Sequence, residues 1–196
     1  MNERTFHAKN AHRLEDPDRL RWLPPGSVVE ALGIGKGMSV ADVGAGTGYF
    51  AFPLATAVGS EGKVLAVDFQ PEMLDLLKQK LAVSSTIVNV VPIAGSALNT
   101  SLSPSVVDLV FYANVWHELD NLPSVLTEAT RILRPGGRLA ILDWRADLTP
   151  PPGPPKEHRI NHETVRSVLS QNGWIAGPTI NIGDYSYLVQ STMKVS

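Results

Sequence analysis

From Met38 to Leu142 the chain alternates short apolar runs with stretches whose apolar residues recur at helical spacing, and this rhythm restricts the possible folds more than any other feature. Val40–Val43, Lys63–Asp68, Ile87–Val91, Val106–Tyr112 and Arg138–Leu142 read as strands. They are apolar at consecutive rather than alternate positions, which suits a parallel sheet covered on both faces. Between the first two, Tyr49–Val58 reads as a crossover helix, bent or short because Pro53 lies near its first turn. Pro71 opens another helix with the stripe Leu74, Leu77 and Leu81. Val125, Ala129, Ile132 and Leu133 fall on one face of a third, which Arg134-Pro135-Gly136-Gly137 ends. Trp174–Ile182 and Tyr185–Gln190, joined by Gly183-Asp184, suit a terminal hairpin. The expected architecture is α/β: a doubly wound, mostly parallel Rossmann-like sheet with a C-terminal antiparallel hairpin, whose ligands bind at the carboxyl ends of the strands.

The flanking stretches fit around that sheet. Residues 1–37 read as polar and then partly helical: Asp16-Pro17 starts one short helix, Pro24-Pro25 breaks it, and Ser27–Leu32 forms a second. His7 and His12 are five apart, a spacing that places two ligands poorly on one helix face, and no third ligand is near. Five prolines among residues 150–155 make a stiff loop over the ligand end of the sheet, followed by a helix capped by Asn161 with an apolar face of Val165, Val168 and Leu169. The whole reads as a single domain of 196 residues, with residues 1–37 as a helical cap or lid and 38–196 as the sheet domain.

Composition narrows the chemistry. The chain has no cysteine, so disulfides, thiolate nucleophiles and cysteine metal sites are excluded. A net charge of −2 with mixed signs provides no basic field for nucleic acid. No apolar run is long enough to cross a bilayer and no signal-peptide pattern opens the chain, so a cytoplasmic location is the default expectation, with a small molecule as the partner.

The ligand is indicated by Val40–Phe50. The first strand runs through an acid, Asp42, into Gly44, Ala45, Gly46 and Gly48. Glycines at alternate positions permit positive φ and close approach of a ligand to the main chain, and such a turn is expected to aim free N–H groups above the strand end. A dinucleotide-binding loop would have its third glycine at position 49, which is Tyr49 here. A second strand-end acid, Asp68, follows at the spacing of about twenty residues typical of ribose-binding acids.

The acid-Gly-x-Gly-x-Gly loop, the acid at 68, Val107-Asp108-Leu109-Val110, Asn114-Val115-Trp116-His117-Glu118 and Leu133-Arg134-Pro135-Gly136-Gly137 together resemble the class I S-adenosylmethionine-dependent methyltransferases, in particular the small-molecule group that includes the ubiquinone/menaquinone-biosynthesis type. The resemblance covers roughly residues 20–190. It implies S-adenosyl-L-methionine as cofactor. Asp42, Gly44, Ala45, Gly46 and Gly48 would enclose the methionine part, Asp68 the ribose hydroxyls and Phe69 the adenine face, with Asn114 beside the cofactor. Gly95-Ser96-Ala97 stands where the family usually has Gly-Asp-Ala, which leaves the adenine edge to Ser96 and Ala97, to the backbone or to Asn99.

The implied reaction is in-line methyl transfer to a small acceptor. His117 has two open readings, a structural residue or a general base, and His158 with Arg159 either meets a substrate anion or faces solvent. A metal-assisted reaction is disfavoured, because Asp143 offers one acid at the fifth strand while Ala113-Asn114 offers none at the fourth. The rival from another class is a non-catalytic S-adenosylmethionine-binding sensor or partner subunit, which would keep the same cofactor residues.

Overall fold

The strands of the computed structural model are β1 (Ser39–Val43), β2 (Lys63–Asp68), β3 (Val90–Ala94), β4 (Val107–Ala113), β5 (Leu133–Trp144), β6 (Trp174–Ile182) and β7 (Ser186–Met193). The helices are α1 (Arg19–Trp22), α2 (Pro25–Leu32), α3 (Ala51–Val58), α4 (Pro71–Val83), α5 (Leu122–Ile132) and α6 (His162–Gln171). The structure describes residues 4–148 and 152–194, so Thr149, Pro150 and Pro151 of the proline loop lie outside the described residues.

All the strands join one sheet in the order β3-β2-β1-β4-β5-β7-β6. The first five run parallel, and β7 is antiparallel to both β5 and β6. This is the doubly wound sheet with a terminal antiparallel hairpin that the alternation implies. The hairpin inserts its second strand beside β5, which leaves β6 at the edge. Chain direction across the sheet reverses between β1 and β4, and a crevice opens beyond the carboxyl ends at such a reversal.

Successive residues of a strand point to opposite faces. In β4, Leu109 and Phe111 pack with Leu54 and Leu188 on one side, while Val110 and Tyr112 pack with Ala129 and Leu169 on the other. Both faces are therefore buried, which explains why these strands are apolar at every position. Each such side chain contributes about 1.5–3 kcal/mol through burial.

The element boundaries differ from expectation where proline or glycine intervenes. Strand β3 begins at Val90 rather than Ile87 and runs through Pro92, which is tolerated because β3 is an edge strand. Helix α3 begins at Ala51, so Pro53 is its third residue, where no intrahelical donor is required. Arg134–Gly137 does not separate helix from strand: Leu133 already pairs with Val107, Arg138 pairs with Leu109, and the residues between bulge out of the ladder. Arg134 Nη1 closes this bulge on both oxygens of Asp108 at 2.8 Å. At the N-terminus, a 3₁₀ turn over Ala8–Glu15 precedes α1, so helical structure begins before Asp16-Pro17.

Candidate active site

The glycine loop leaves β1 with φ of +78° at Gly44, +54° at Gly46 and +90° at Gly48. A Cβ on Gly44 would lie 2.4 Å from Val115 Cγ2, and one on Gly48 would lie 2.5 Å from Leu77 Cδ1. Glycine is thus required twice over, by conformation and by packing. Four of the loop's donors are already used: Gly44 and Ala45 donate to Val67 O at 2.8 and 3.0 Å, Gly46 to Asp68 Oδ2 at 2.8 Å and Gly48 to Ala45 O at 2.9 Å. The N–H groups of Gly44, Ala45 and Gly46 are thereby turned back onto the end of β2.

Two carboxylates stand at adjacent strand ends. Asp42 is 1% exposed, and its Oδ2 has no hydrogen-bond partner. Burial first, and then the neighbouring Asp68, push its pKa up to about 7. Burial also raises the pKa of Asp68, against the N–H groups of Gln70, Gly46 and Phe69, which favour its charged form. Beside it, Phe69 is 47% exposed, an accessible flat surface at the end of β2. Across β2, Gly95 donates to Asp68 O, and Ser96 and Asn99 exchange backbone hydrogen bonds. Ser96 Oγ accepts from Asn99 N at 3.2 Å, so one lone pair of the hydroxyl stabilises its own turn. Ala97 is buried beneath it.

At the end of β4, Asn114 has φ +56° and neither its Oδ1 nor its Nδ2, both buried, has a hydrogen-bond partner. Its backbone N–H donates to Leu142 O in β5, which fixes the start of the following turn. That turn delivers His117, 4% exposed, onto Asp143 at the end of β5. The His117 N–H donates to Asp143 Oδ2 at 2.9 Å, and His117 Nδ1 lies 2.8 Å from Asp143 Oδ1. Asp143 Oδ1 also accepts from Trp144 N. A carboxylate can only accept, so Nδ1 carries the proton and Nε2 is left as the basic atom, 3.9 Å from Glu118 Oε1. Burial pulls the imidazole pKa down, but Asp143 and then Glu118 outweigh it and the net shift is upward. Burial raises Glu118 to about 7.

The structure brings Asp42, the glycine loop, Asp68, Phe69, Asn114 and His117 to the carboxyl end of one sheet, with Ser96 and Ala97 in the turn beyond β3. Asp143 and Glu118 have no assigned role in the sequence reading. The signal for Asp143 was available: it ends the apolar run Leu139-Ala140-Ile141-Leu142, as Asp68 ends β2. Arg159 does not face solvent. Its buried guanidinium donates to the carbonyls of Pro152, Pro154 and Arg145 and pins the described part of the proline loop near Trp144. Among the described residues, no group of three or more His, Asp or Glu is placed to hold a metal ion, and no helix is long and apolar enough to cross a membrane.

Comparison with known proteins agrees with this geometry. Residues 34–191 match the model of a methyltransferase-domain family. A demethylmenaquinone methyltransferase of Staphylococcus aureus is 34% identical over 126 residues, 63% of this chain and 50% of the relative. A ubiquinone/menaquinone biosynthesis C-methyltransferase of Francisella philomiragia is 29% identical over 60% of this chain and 47% of its own length. The chain therefore spans about half the length of these curated relatives. A crystal structure of an S-adenosylmethionine-dependent methyltransferase from Aquifex aeolicus superposes with a TM-score of 0.91 at 31% identity, covering 97% of this chain and 100% of that one. These matches place the chain in the methyltransferase-domain family, together with a solved relative described as S-adenosylmethionine dependent.

Proposed function

We propose that the carboxyl ends of β1, β2, β4 and β5 are the methyl-transfer site, and that the acceptor is a small, uncharged molecule that loses a proton as it is methylated. The observation that carries this reading is the buried His117–Asp143 pair beside the cofactor loop. An imidazole with Nδ1 held by a buried carboxylate is organised to take a proton at Nε2. Asp68, Asp143 and Glu118 surround this region, so an anionic acceptor is disfavoured.

The residues fit the cofactor. Asp42 Oδ2 is a buried acceptor without a partner and suits an ammonium group, and the unpartnered amide of Asn114 suits the polar methionyl end. Gly44, Ala45, Gly46 and Gly48 carry no large side chain of their own that would hold a ligand off the main chain. Asp68 retains free lone pairs for ribose hydroxyls, Phe69 offers its face to the adenine, and Ser96 with Ala97 borders the adenine edge. When bound, S-adenosyl-L-methionine supplies a methyl group activated on a sulfonium, so that alignment alone can lower the barrier by up to about 7–11 kcal/mol. Asn114 and the glycine loop set that alignment. His117 Nε2 would take the proton that the acceptor loses, and the imidazolium would be stabilised between Asp143 and Glu118.

Demethylmenaquinone, named in the activity of one relative, is the first acceptor to test. It is offered oxidised and reduced, because only the reduced ring is electron-rich enough to attack a methyl group, alongside simple phenols and amines. Methyl-labelled cofactor reports transfer. Asp68→Ala is expected to weaken cofactor binding at least tenfold in calorimetry. His117→Gln is expected to lower kcat by about 10² to 10⁴ with cofactor affinity retained. Full kcat in His117→Gln would remove the histidine from the reaction.

A further inference from the structure

Residues Arg4–Glu15 lie across the carboxyl ends of the strands and join the two halves of the site. Arg4 pairs with Asp120, and the Phe6 N–H donates to the Glu118 carboxylate beside His117. Phe6 O accepts from Gln70 Nε2 at 2.8 Å, and Ala8 N donates to Gln70 Oε1 at 2.9 Å. Leu14 Cδ1 lies 3.3 Å from where a Cβ of Gly46 would stand, and Glu15 bonds both Thr47 Oγ1 and Lys80 Nζ. Thr47, bonded by Glu15, and Asp68, next to the Gln70 that Phe6 and Ala8 bond, are buried beside this segment, which therefore contributes to closing that end of the site.

Gln70 is the residue on which the two halves converge. Its backbone N–H donates to Asp68 Oδ1 at 2.9 Å, while its side-chain amide binds one donor and one acceptor of the covering segment, as a neighbouring strand would. Phe6 uses its carbonyl on the Asp68 side and its N–H on the His117 side. Resting on the cofactor-site reading above, we propose that Gln70 is a positioning residue that latches residues 4–15 over the bound cofactor. The order of binding follows: cofactor enters the open site, the latch closes, and only then is the acceptor side next to Glu118 and His117 complete. Release of S-adenosyl-L-homocysteine requires the latch to open again.

The segment carries its own probe, because the exposed Lys9 and Arg13 are trypsin sites. In the wild-type protein, S-adenosyl-L-homocysteine is expected to slow cleavage at both. In Gln70→Ala that protection is lost and the dissociation rate of S-adenosyl-L-homocysteine rises about tenfold, as loss of hydrogen bonds worth roughly a factor of ten requires. Gln70→Glu keeps an acceptor for Ala8 N but loses the donor to Phe6 O, and it falls between the two. The Gln70 side chain makes no capping bond to α4, so the ligand-free variants are expected to melt within a few degrees of wild type and their folding is checked directly. Wild-type dissociation and wild-type protection in Gln70→Ala overturn the latch. A wild-type protein that does not bind S-adenosyl-L-homocysteine overturns instead the cofactor-site reading on which the latch rests.

Discussion

Asp42 costs folding stability at neutral pH. Its carboxyl is raised to about 7 in the folded protein by burial and by Asp68, whereas in the unfolded chain it titrates near its ordinary value of 3.8. The folded state therefore holds the proton more tightly. Folding stability falls as pH rises from the unfolded to the folded value and levels off above about 7. Asp42→Asn removes a charge that folding must desolvate. It is expected to raise stability at pH 8 by a few kcal/mol and to change it little at pH 3, while weakening S-adenosyl-L-methionine binding. Urea unfolding at the two pH values checks this, and an equal change at both would contradict it. Asp42 was legible in the sequence because the glycine loop follows it. Asp143 carries the same strand-end signal, yet its role depends on His117, which is 26 residues away and reaches it only through a turn that no periodicity encodes.

Among the elements, the glycine loop tolerates little change at Gly44. Gly44 and Gly136 have nearly the same φ, +78° and +79°, but a Cβ at Gly44 meets Val115 at 2.4 Å whereas one at Gly136 meets nothing within 4 Å. Gly136→Ala should cost only the backbone strain, about 1–2 kcal/mol. Gly44→Ala should cost more, because Val115 lies between Asn114 and His117 and cannot yield without moving both; methyl transfer should fall with it. Unfolding free energies of the two variants side by side decide the matter, and equal losses would show that Val115 gives way freely. The existence and order of the elements were legible from hydrophobic runs. Their limits were not, because Pro92 is acceptable only in an edge strand, and the bulge at Arg134–Gly137 is defined by pairing with β4.

Across the whole molecule, α5 and the loop after Ser96 are joined by a hydrogen-bonded network. Glu128 accepts from Thr100 N at 2.8 Å and Thr100 Oγ1 at 2.6 Å and pairs with Arg131. Burial opposes its ionisation, but Arg131 and Thr100 outweigh that and hold the carboxyl down at about 2. The stability it contributes is complete above its ordinary value of 4.5 and is lost as pH falls towards 2. Glu128→Gln should therefore lower the unfolding free energy at pH 7 by about 1–3 kcal/mol, with the difference vanishing near pH 2 in denaturant titrations. Taken by itself, the sequence determined the alternation of strands and helices, the faces they bury and the glycine loop with its two strand-end acids. Each of these is written in neighbouring residues, through side-chain period and the backbone freedom of glycine. Only the tertiary structure decided that β7 inserts beside β5, that His117 rests on Asp143, and that Gln70 holds residues 4–15 over the site. Those contacts join residues from 26 to 64 positions apart or strands out of chain order, and they are selected by packing of the folded chain rather than by any local pattern.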